Sequence, residues 1–218
     1  MKKIDEDVLN RVDATLKERY SFRLDKFGDD PKTLGWDNKK HQFMRFKVAT
    51  DSFDMSNSTI LDVGCGLGDF FTHLKQQNIN IRRYAGMDIN PDLILRCNEI
   101  SPDADFAVGN LLTQPPKDES FDVVCLFGVL NFKFSEFDNM TFAKNIISQA
   151  FKVCKKAVVV DMLSVFYDKN YAVEDFVYYY NPVDMLDFAL GLSPHVKICH
   201  NYKSIPQREF LLIIEKSV

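Results

Sequence analysis

The spacing of apolar residues divides the chain into a helical N-terminal part and an alternating central part. From residue 5 to about residue 24, apolar side chains recur every three or four positions, which predicts an amphipathic helix. A second helical pattern begins near residue 37 and follows a break that contains glycine, aspartate and proline. We therefore expect residues 1–56 to form a helical cap on the rest of the chain.

After residue 57 the pattern changes to short apolar runs that are separated by helical segments, which is typical of a parallel sheet with helices on both faces. The predicted strands are 59–63, 83–87, 104–108, 121–127 and 157–161, with crossover helices at 69–77, 91–100 and 139–152. The runs 196–202 and 210–215 lie too close for a helix between them, so we expect an antiparallel hairpin. The sequence predicts one α/β, doubly wound domain over residues 1–218.

Composition and charge narrow the range of partners. The 218 residues carry a formal net charge of −4, so no overall field favours nucleic acid. The N-terminus lacks the apolar core of a signal peptide, and no run approaches the ~20 apolar residues of a membrane helix, so we expect a cytoplasmic protein. The five cysteines (Cys65, Cys97, Cys125, Cys154 and Cys199) are widely spaced and predict reduced thiols, neither a disulfide framework nor a metal site.

A glycine-rich turn follows the first predicted strand. Glycine at 64, 66 and 68 lets a ligand approach the main chain closely, and the next helix presents free N–H groups. A dinucleotide fingerprint would have glycine at the position of Asp69, whose carboxylate would repel a pyrophosphate, so a nicotinamide-dependent oxidoreductase is disfavoured. Asp62 and Asp69 instead suit a ligand with a cationic centre and no phosphate, such as S-adenosylmethionine with its ammonium and sulfonium groups.

A second acidic position supports this interpretation. Asp88 ends the second predicted strand about 20 residues after Gly68, where a carboxylate can accept hydrogen bonds from both ribose hydroxyls; the alternative is a simple helix N-cap. Residues 61–69 and 86–92 resemble the first two motifs of class I S-adenosylmethionine-dependent methyltransferases. The resemblance implies a seven-stranded sheet of order 3-2-1-4-5-7-6 with strand 7 antiparallel, in agreement with the predicted hairpin. It also implies a cofactor-binding core at 57–161 and a substrate-side insertion with the hairpin at 162–218.

The resemblance further implies which residues bind the cofactor. The glycines would line its methionine part, Asp62 would hold the amino group and Asp88 the ribose. Asn110 stands where the family usually has an acid toward the adenine amino group, and the fourth motif, residues 121–131, ends beside the transferable methyl. The implied cofactor-binding residues are Arg45, Asp62, Gly64, Cys65, Gly66, Gly68, Asp88, Ile89, Asn110, Leu111, Phe127 and Gly128, and the product is S-adenosylhomocysteine.

The flanking segments carry the candidates for specificity. Residues 34–36 and 42–46 resemble a pattern of bacterial small-molecule methyltransferases, including phosphonate O-methyltransferases. Gln42 and Arg45 are three positions apart and share one helix face, where Arg45 could bind the cofactor carboxylate with two hydrogen bonds. The alternative is a surface arginine paired with an acid. The turn 200–208 is expected at the carboxyl edge of the sheet, within reach of an anionic acceptor. The candidate acceptor-orienting residues are His41, His200, Tyr202, Lys203 and Arg208.

The absence of an evident catalytic pair bears on the reaction. An ionised acid needs no general base, whereas a hydroxyl or amine acceptor usually does. The hypothesis is O-methylation of a small acid or a peptide carboxylate; the alternative is a non-catalytic S-adenosylmethionine-binding regulatory or scaffold protein. An Asn/Asp-Pro-Pro-Tyr motif is missing after strand four, which argues against methylation of nucleic-acid bases. The aromatic segment 166–180 could serve as core, as a homodimer interface or as a substrate lid.

Overall fold

The N-terminal helices begin at capping residues that the sequence supplies. The computed structural model describes residues 4–167, 171, 173–202 and 208–217. Helix α1 (Glu6–Phe27) is capped by the Asp5 carboxylate, which accepts a hydrogen bond from the Asp7 N–H at 2.8 Å. A short 3₁₀ helix (Pro31–Leu34) leads to α2 (Lys39–Ser52), which Asn38 caps. Both predicted helices are therefore present, with α1 slightly longer than its apolar pattern indicates.

A mixed sheet follows the two helices. Its strands are β1 (Thr59–Val63), β2 (Arg83–Asp88), β3 (Asp105–Val108), β4 (Phe121–Leu126), β5 (Cys154–Leu163), β6 (His195–Cys199) and β7 (Glu209–Glu215). The remaining helices are α3 (Asp69–Gln76), α4 (Pro91–Ile100), α5 (Asn139–Val153) and α6 (Pro182–Leu190). Across the described residues the strand order is β3-β2-β1-β4-β5-β7-β6, and β7 runs antiparallel to both β5 and β6. The predicted fold class and strand order are confirmed.

Apolar side chains fill both faces of the sheet. Along β4, Val124 and Leu126 pack into one apolar cluster while Val123 and Cys125 pack into another on the opposite face. This alternation with period two is what a strand buried on both faces requires. The centre of the molecule is therefore a two-sided core, and polar chemistry is left to the strand ends.

Several predicted boundaries differ from the structure. Strand β5 begins earlier than predicted because Cys154 pairs with Phe121 of β4, and it ends later because its pairing with β7 continues to Leu163. Strand β6 ends at Cys199, so Tyr202 lies outside it, and Phe127 and Ala104 likewise fall just outside β4 and β3. Helix α6 was not predicted, although Asn181 caps it and a proline occupies its first turn.

The carboxyl ends of the parallel strands meet at one edge of the sheet, and α1 crosses this edge. The Asn90 side chain, which caps α4, donates a hydrogen bond to the Lys17 carbonyl of α1 at 2.9 Å. The Ser21 hydroxyl of α1 donates to the Asp92 carboxylate at 2.5 Å. These contacts hold α1 over the edge where ligands bind in open α/β sheets. None of the helices in the described ranges is long and apolar enough to span a membrane.

Candidate active site

A cavity of about 600 Å³ opens at the carboxyl edge of the sheet, between the strand ends and the N-terminal helices. Its volume lies in the range typical of small-molecule and cofactor sites. The predicted cofactor-binding residues that line it are Arg45, Asp62, Gly64, Cys65, Gly66, Asp88, Ile89, Asn110, Leu111, Phe127 and Gly128. The structure therefore brings together, around one cavity, residues that are spread over more than 80 positions of the chain.

The glycine-rich turn forms the floor of this cavity. Gly64 and Gly66 have φ of +70° and +56°, a conformation that side chains rarely adopt. A Cβ atom at Gly66 would lie 2.6 Å from the Leu34 side chain, and one at Gly64 would lie 2.6 Å from that of Val129. Gly68 caps α3 and faces Phe106, and it does not line the cavity. Residues larger than glycine would therefore not fit at Gly64 or Gly66 without a shift of their neighbours.

Two carboxylates stand beside the turn in poorly solvated positions. The Tyr84 hydroxyl donates a hydrogen bond to Asp62 at 2.5 Å, and burial raises the pKa of Asp62 to about 7. The Gln42 amide donates to Asp69 at 2.9 Å, and burial also raises the pKa of Asp69. The Gln42 side-chain oxygen is buried and has no hydrogen-bond partner among the described residues. This cluster of acceptors is suited to a cationic group with N–H donors.

Asp88 connects the glycine turn to α4. One of its carboxylate oxygens accepts a hydrogen bond from the Gly66 N–H at 3.0 Å, and the other accepts from the Asn90 N–H at 2.9 Å. Burial raises the pKa of Asp88 to about 6 in spite of these backbone donors. The helix cap of α4 is Asn90, so Asp88 is not the N-cap itself. Its carboxylate lines the cavity, where a ligand hydroxyl can reach it.

The side chain of Asn110 is already paired on both of its polar atoms. Its amide nitrogen donates to Asp13 of α1 at 2.8 Å, and its oxygen accepts from the Leu112 N–H at 2.8 Å. Asp13 lines the cavity, and burial raises its pKa. The carboxylate that the third motif lacks is thus present nearby, contributed by a helix 97 positions earlier in the chain. Sequence reasoning missed Asp13 because no local pattern connects it with Asn110.

Arg45 belongs to a buried charged cluster. Its guanidinium lies 3.5 Å from the Asp161 carboxylate, bonds Glu209 and stacks on the Trp36 ring at 3.6 Å from the ring centroid. Asp161 in turn accepts a hydrogen bond from the Gly128 N–H at 2.6 Å. The arginine is therefore paired with acids, as one alternative held, but deep in the core and not at the surface. The Arg45 Nε and Nη1 atoms make no hydrogen bond within the described residues, and their contact with a cofactor carboxylate stays a prediction.

The candidate acceptor-orienting residues separate into two groups. His41 lines the cavity near Asp37 and Asn38. His200, Tyr202 and Arg208 are not among the lining residues. The His200 imidazole instead lies 3.0 Å from the Ser164 hydroxyl, and burial lowers its pKa. Burial raises the pKa of the Tyr202 hydroxyl, which lacks a hydrogen-bond partner in the part of the chain described.

Lys203 lies outside the described residues. The predicted role of the turn 200–208 in orienting an acceptor therefore stays a prediction. What sequence reasoning missed is the apolar end of the cavity. It is lined by Val129, Phe132, Phe134, Phe137, Phe142, Ile146, Leu163, Tyr171, Phe176 and Val177.

Comparison with known proteins agrees with this geometry. Residues 60–156 match the family model of a methyltransferase domain. A search for relatives among curated protein sequences finds none.

Solved structures share the fold at low identity. Magnesium protoporphyrin IX methyltransferase from Synechocystis, with bound S-adenosylhomocysteine, is 14% identical with a TM-score of 0.65, covering 98% of this chain and 100% of its own. A TehB-like S-adenosylmethionine-dependent methyltransferase from Corynebacterium glutamicum is 17% identical with a TM-score of 0.59, covering 94% and 100%. The [4+2]-cyclase SpnF is 13% identical with a TM-score of 0.59, covering 79% and 80%. At such identities the likeness shows the fold alone.

The matched segment spans β1 to the start of β5 and contains the glycine turn, Asp88 and Asn110. Residues 60–156 thus resemble a methyltransferase domain, and they lie within a sheet whose fold is that of the methyltransferases compared above. S-adenosylmethionine-dependent methyl transfer is the activity that the family match supports, with S-adenosylmethionine as the cofactor.

Proposed function

We propose that the protein is an S-adenosylmethionine-dependent methyltransferase that methylates an oxygen of a small acid or a peptide carboxylate. The observation that carries the proposal is the set of carboxylates Asp62, Asp69 and Asp88 around a glycine turn in one cavity. Burial raises the pKa of all three because their ionised forms are poorly solvated, so a bound cation would stabilise those ionised forms and a phosphate would be repelled by them. When bound, S-adenosylmethionine supplies a methyl group activated by its sulfonium.

The residues around the turn divide the task of holding this cofactor. Asp62, Asp69 and the unbonded oxygen of Gln42 are suited to its ammonium group, because all three present acceptors. Asp88 is suited to ribose hydroxyls. The Asp13 carboxylate, which accepts a hydrogen bond from the Asn110 amide, is suited to accept another from the adenine amino group.

The protein's role in the reaction is to position the acceptor and to exclude water. Trp36 packs against Gly128, since a Cβ atom there would lie 2.8 Å from the indole ring, and so covers the end of β4. An acidic acceptor is already ionised at neutral pH and needs no proton acceptor. His41 is the one imidazole among the described residues of the cavity wall, and a hydroxyl acceptor would depend on it.

The proposal is tested by measuring turnover. Purified protein is incubated with S-adenosylmethionine and a panel of carboxylic acids, matched alcohols and amines, and the release of S-adenosylhomocysteine is followed together with the mass of each acceptor. We expect methyl esters with the acids, lost in Asp88→Asn and retained in Asp103→Asn, a change at an exposed carboxylate. Methylation of amines in preference to acids would contradict the acceptor class, and cofactor binding without any transfer would contradict catalysis.

A further inference from the structure

The end of the cavity beyond Gly128 is lined mainly by aromatic rings. We call this end the aromatic chamber and define it by Phe132, Phe134, Phe142 and Phe176. The Phe132 and Phe134 ring centroids are 5.5 Å apart, and those of Phe134 and Phe142 are 5.1 Å apart. The chamber is assembled from the segment after β4, from α5 and from the segment after β5. Its walls therefore favour an apolar body over a hydrated polar one.

The geometry of the rings favours a planar guest. The planes of Phe132 and Phe134 are inclined by 54°, and those of Phe134 and Phe142 by 65°. Rings inclined in this way present both edges and faces, which suits edge-to-face contact with a further ring. Phe176 lines the cavity and yet is 52% exposed, so an apolar side chain stands at its mouth. An aromatic acceptor would cover this exposed ring on binding.

One cation faces the same chamber. The Arg19 guanidinium of α1 lies 5.5 Å from the centroid of the Phe132 ring and lines the cavity. Arg19 forms no salt bridge with any acid in the described ranges. Glu174, an acid on this side of the cavity, is engaged in an interaction of its own. A guanidinium held on an aromatic face is well placed to pair with an anionic group of a ligand.

We propose that the acceptor is an aromatic acid, with its ring in the aromatic chamber and its anionic group paired with Arg19. This inference rests on the proposed function, in which the acceptor is an acid, and it specifies the chemistry of that acid. Shape and charge are both required: the rings select a planar apolar body, and Arg19 selects a negative charge.

The experiment measures binding, so it does not depend on turnover. Protein saturated with S-adenosylhomocysteine, and protein without it, are titrated by calorimetry with 2-naphthoate, the neutral 2-naphthylmethanol, the saturated decalin-2-carboxylate and acetate. We expect 2-naphthoate to bind at least about tenfold more tightly than each of the other three. Arg19→Gln should remove about tenfold of the 2-naphthoate affinity and leave 2-naphthylmethanol unchanged. Arg11→Gln, a change at another exposed arginine of α1 outside the cavity, should leave both unchanged.

A change in the chamber tests shape separately from charge. Phe132→Leu keeps an apolar wall and removes a ring, so it should weaken 2-naphthoate more than decalin-2-carboxylate. Equal binding of 2-naphthoate and 2-naphthylmethanol, or a preference for the saturated acid, would overturn the proposal. So would failure of 2-naphthoate to bind either form of the protein. Failure of S-adenosylhomocysteine to bind while 2-naphthoate binds would instead contradict the proposed function and leave the chamber assigned.

Discussion

The two ends of the cavity are built in opposite ways. The cofactor end is polar and is formed largely by short contiguous segments, the glycine turn and the tips of β2 and β3, where backbone groups and carboxylates face inward. The aromatic chamber is apolar and is formed by side chains of the segment after β4, of α5 and of the segment after β5. Recognition of polar ligand atoms requires backbone groups and carboxylates at defined positions. Recognition of an apolar shape requires only apolar side chains that leave a space of the right size.

The largest expected effect is at Arg45, whose partner Asp161 accepts a hydrogen bond from the Gly128 N–H between the two ends. Arg45→Met should lower the free energy of unfolding by about 3–5 kcal/mol, because it leaves Asp161 and Glu209 buried without their cation. Urea unfolding followed by circular dichroism measures this loss. The control is Arg83→Met, which removes an exposed pair with Asp105 and should cost far less. Equal losses in the two variants would show that the buried cluster contributes no more to stability than an exposed pair does.

The next effect is confined to the cofactor end. Asp88→Ala should weaken binding of S-adenosylhomocysteine by about a hundredfold, because it removes both a ligand acceptor and the carboxylate that fixes the Gly66 N–H. Calorimetry measures the affinity, and circular dichroism verifies that the fold is kept. Asp103→Ala should bind as the unaltered protein does. Full affinity in Asp88→Ala would contradict the site assignment.

A smaller effect is expected from alanine at two glycines, and comparing the two variants separates backbone strain from close approach of the ligand to the backbone. Gly66→Ala and Gly28→Ala each place a Cβ on a backbone of positive φ, +56° and +58°, so each should lower the free energy of unfolding. Only the Cβ at position 66 meets a neighbour, Leu34 at 2.6 Å, and only Gly66 lines the cavity. We expect about a tenfold loss of S-adenosylhomocysteine affinity in Gly66→Ala alone. Similar affinities in both variants would argue against close approach of the ligand.

The smallest effect is a dependence of binding on pH. The pKa of Asp62 is about 7, so its carboxylate is largely ionised at pH 8 and largely protonated at pH 5.5. Cofactor affinity should therefore fall severalfold as the pH is lowered through 7. Asp62→Asn should remove the part of this dependence near pH 7 and leave the part due to Asp88, whose pKa is about 6. A flat profile in the unaltered protein would contradict the pairing of Asp62 with a cation.

The same pKa has the opposite consequence for the ligand-free protein. An unfolded aspartate loses its proton near pH 4, whereas folded Asp62 keeps it to about 7. The folded state therefore binds more protons between these values, and stability should decrease as the pH rises from about 4 to about 7. Thermal unfolding with and without S-adenosylhomocysteine should show the ligand stabilising the protein most at the upper end of this range.

The cofactor end could be predicted from the sequence because its information is local. Spacing placed Gly64, Gly66 and Asp88 around one site, and the period of the apolar runs predicted a parallel sheet with a terminal hairpin. The order of the strands was implied by the resemblance to class I methyltransferases. Asp13 could not be predicted, because its pairing with Asn110 depends on where α1 crosses the sheet. Arg45 was singled out, but its partner Glu209 lies 164 positions away.

The aromatic chamber could not be predicted for a different reason. A phenylalanine that lines a cavity and one that fills the core follow the same pattern along the chain. Phe142 and Ile146 of α5 share one helix face and read as ordinary core positions, although both line the cavity. Sequence reasoning instead placed the acceptor near His200 and Tyr202, which do not line it.

The central claim, a site for a cationic nucleoside and not for a dinucleotide, is tested most directly by calorimetric titration of the unaltered protein with S-adenosylmethionine, S-adenosylhomocysteine and NAD. Asp69 and the buried acids beside it predict binding of the first two in the micromolar range and no measurable binding of NAD. Binding of NAD, or failure of both sulfur nucleosides to bind, would contradict the account.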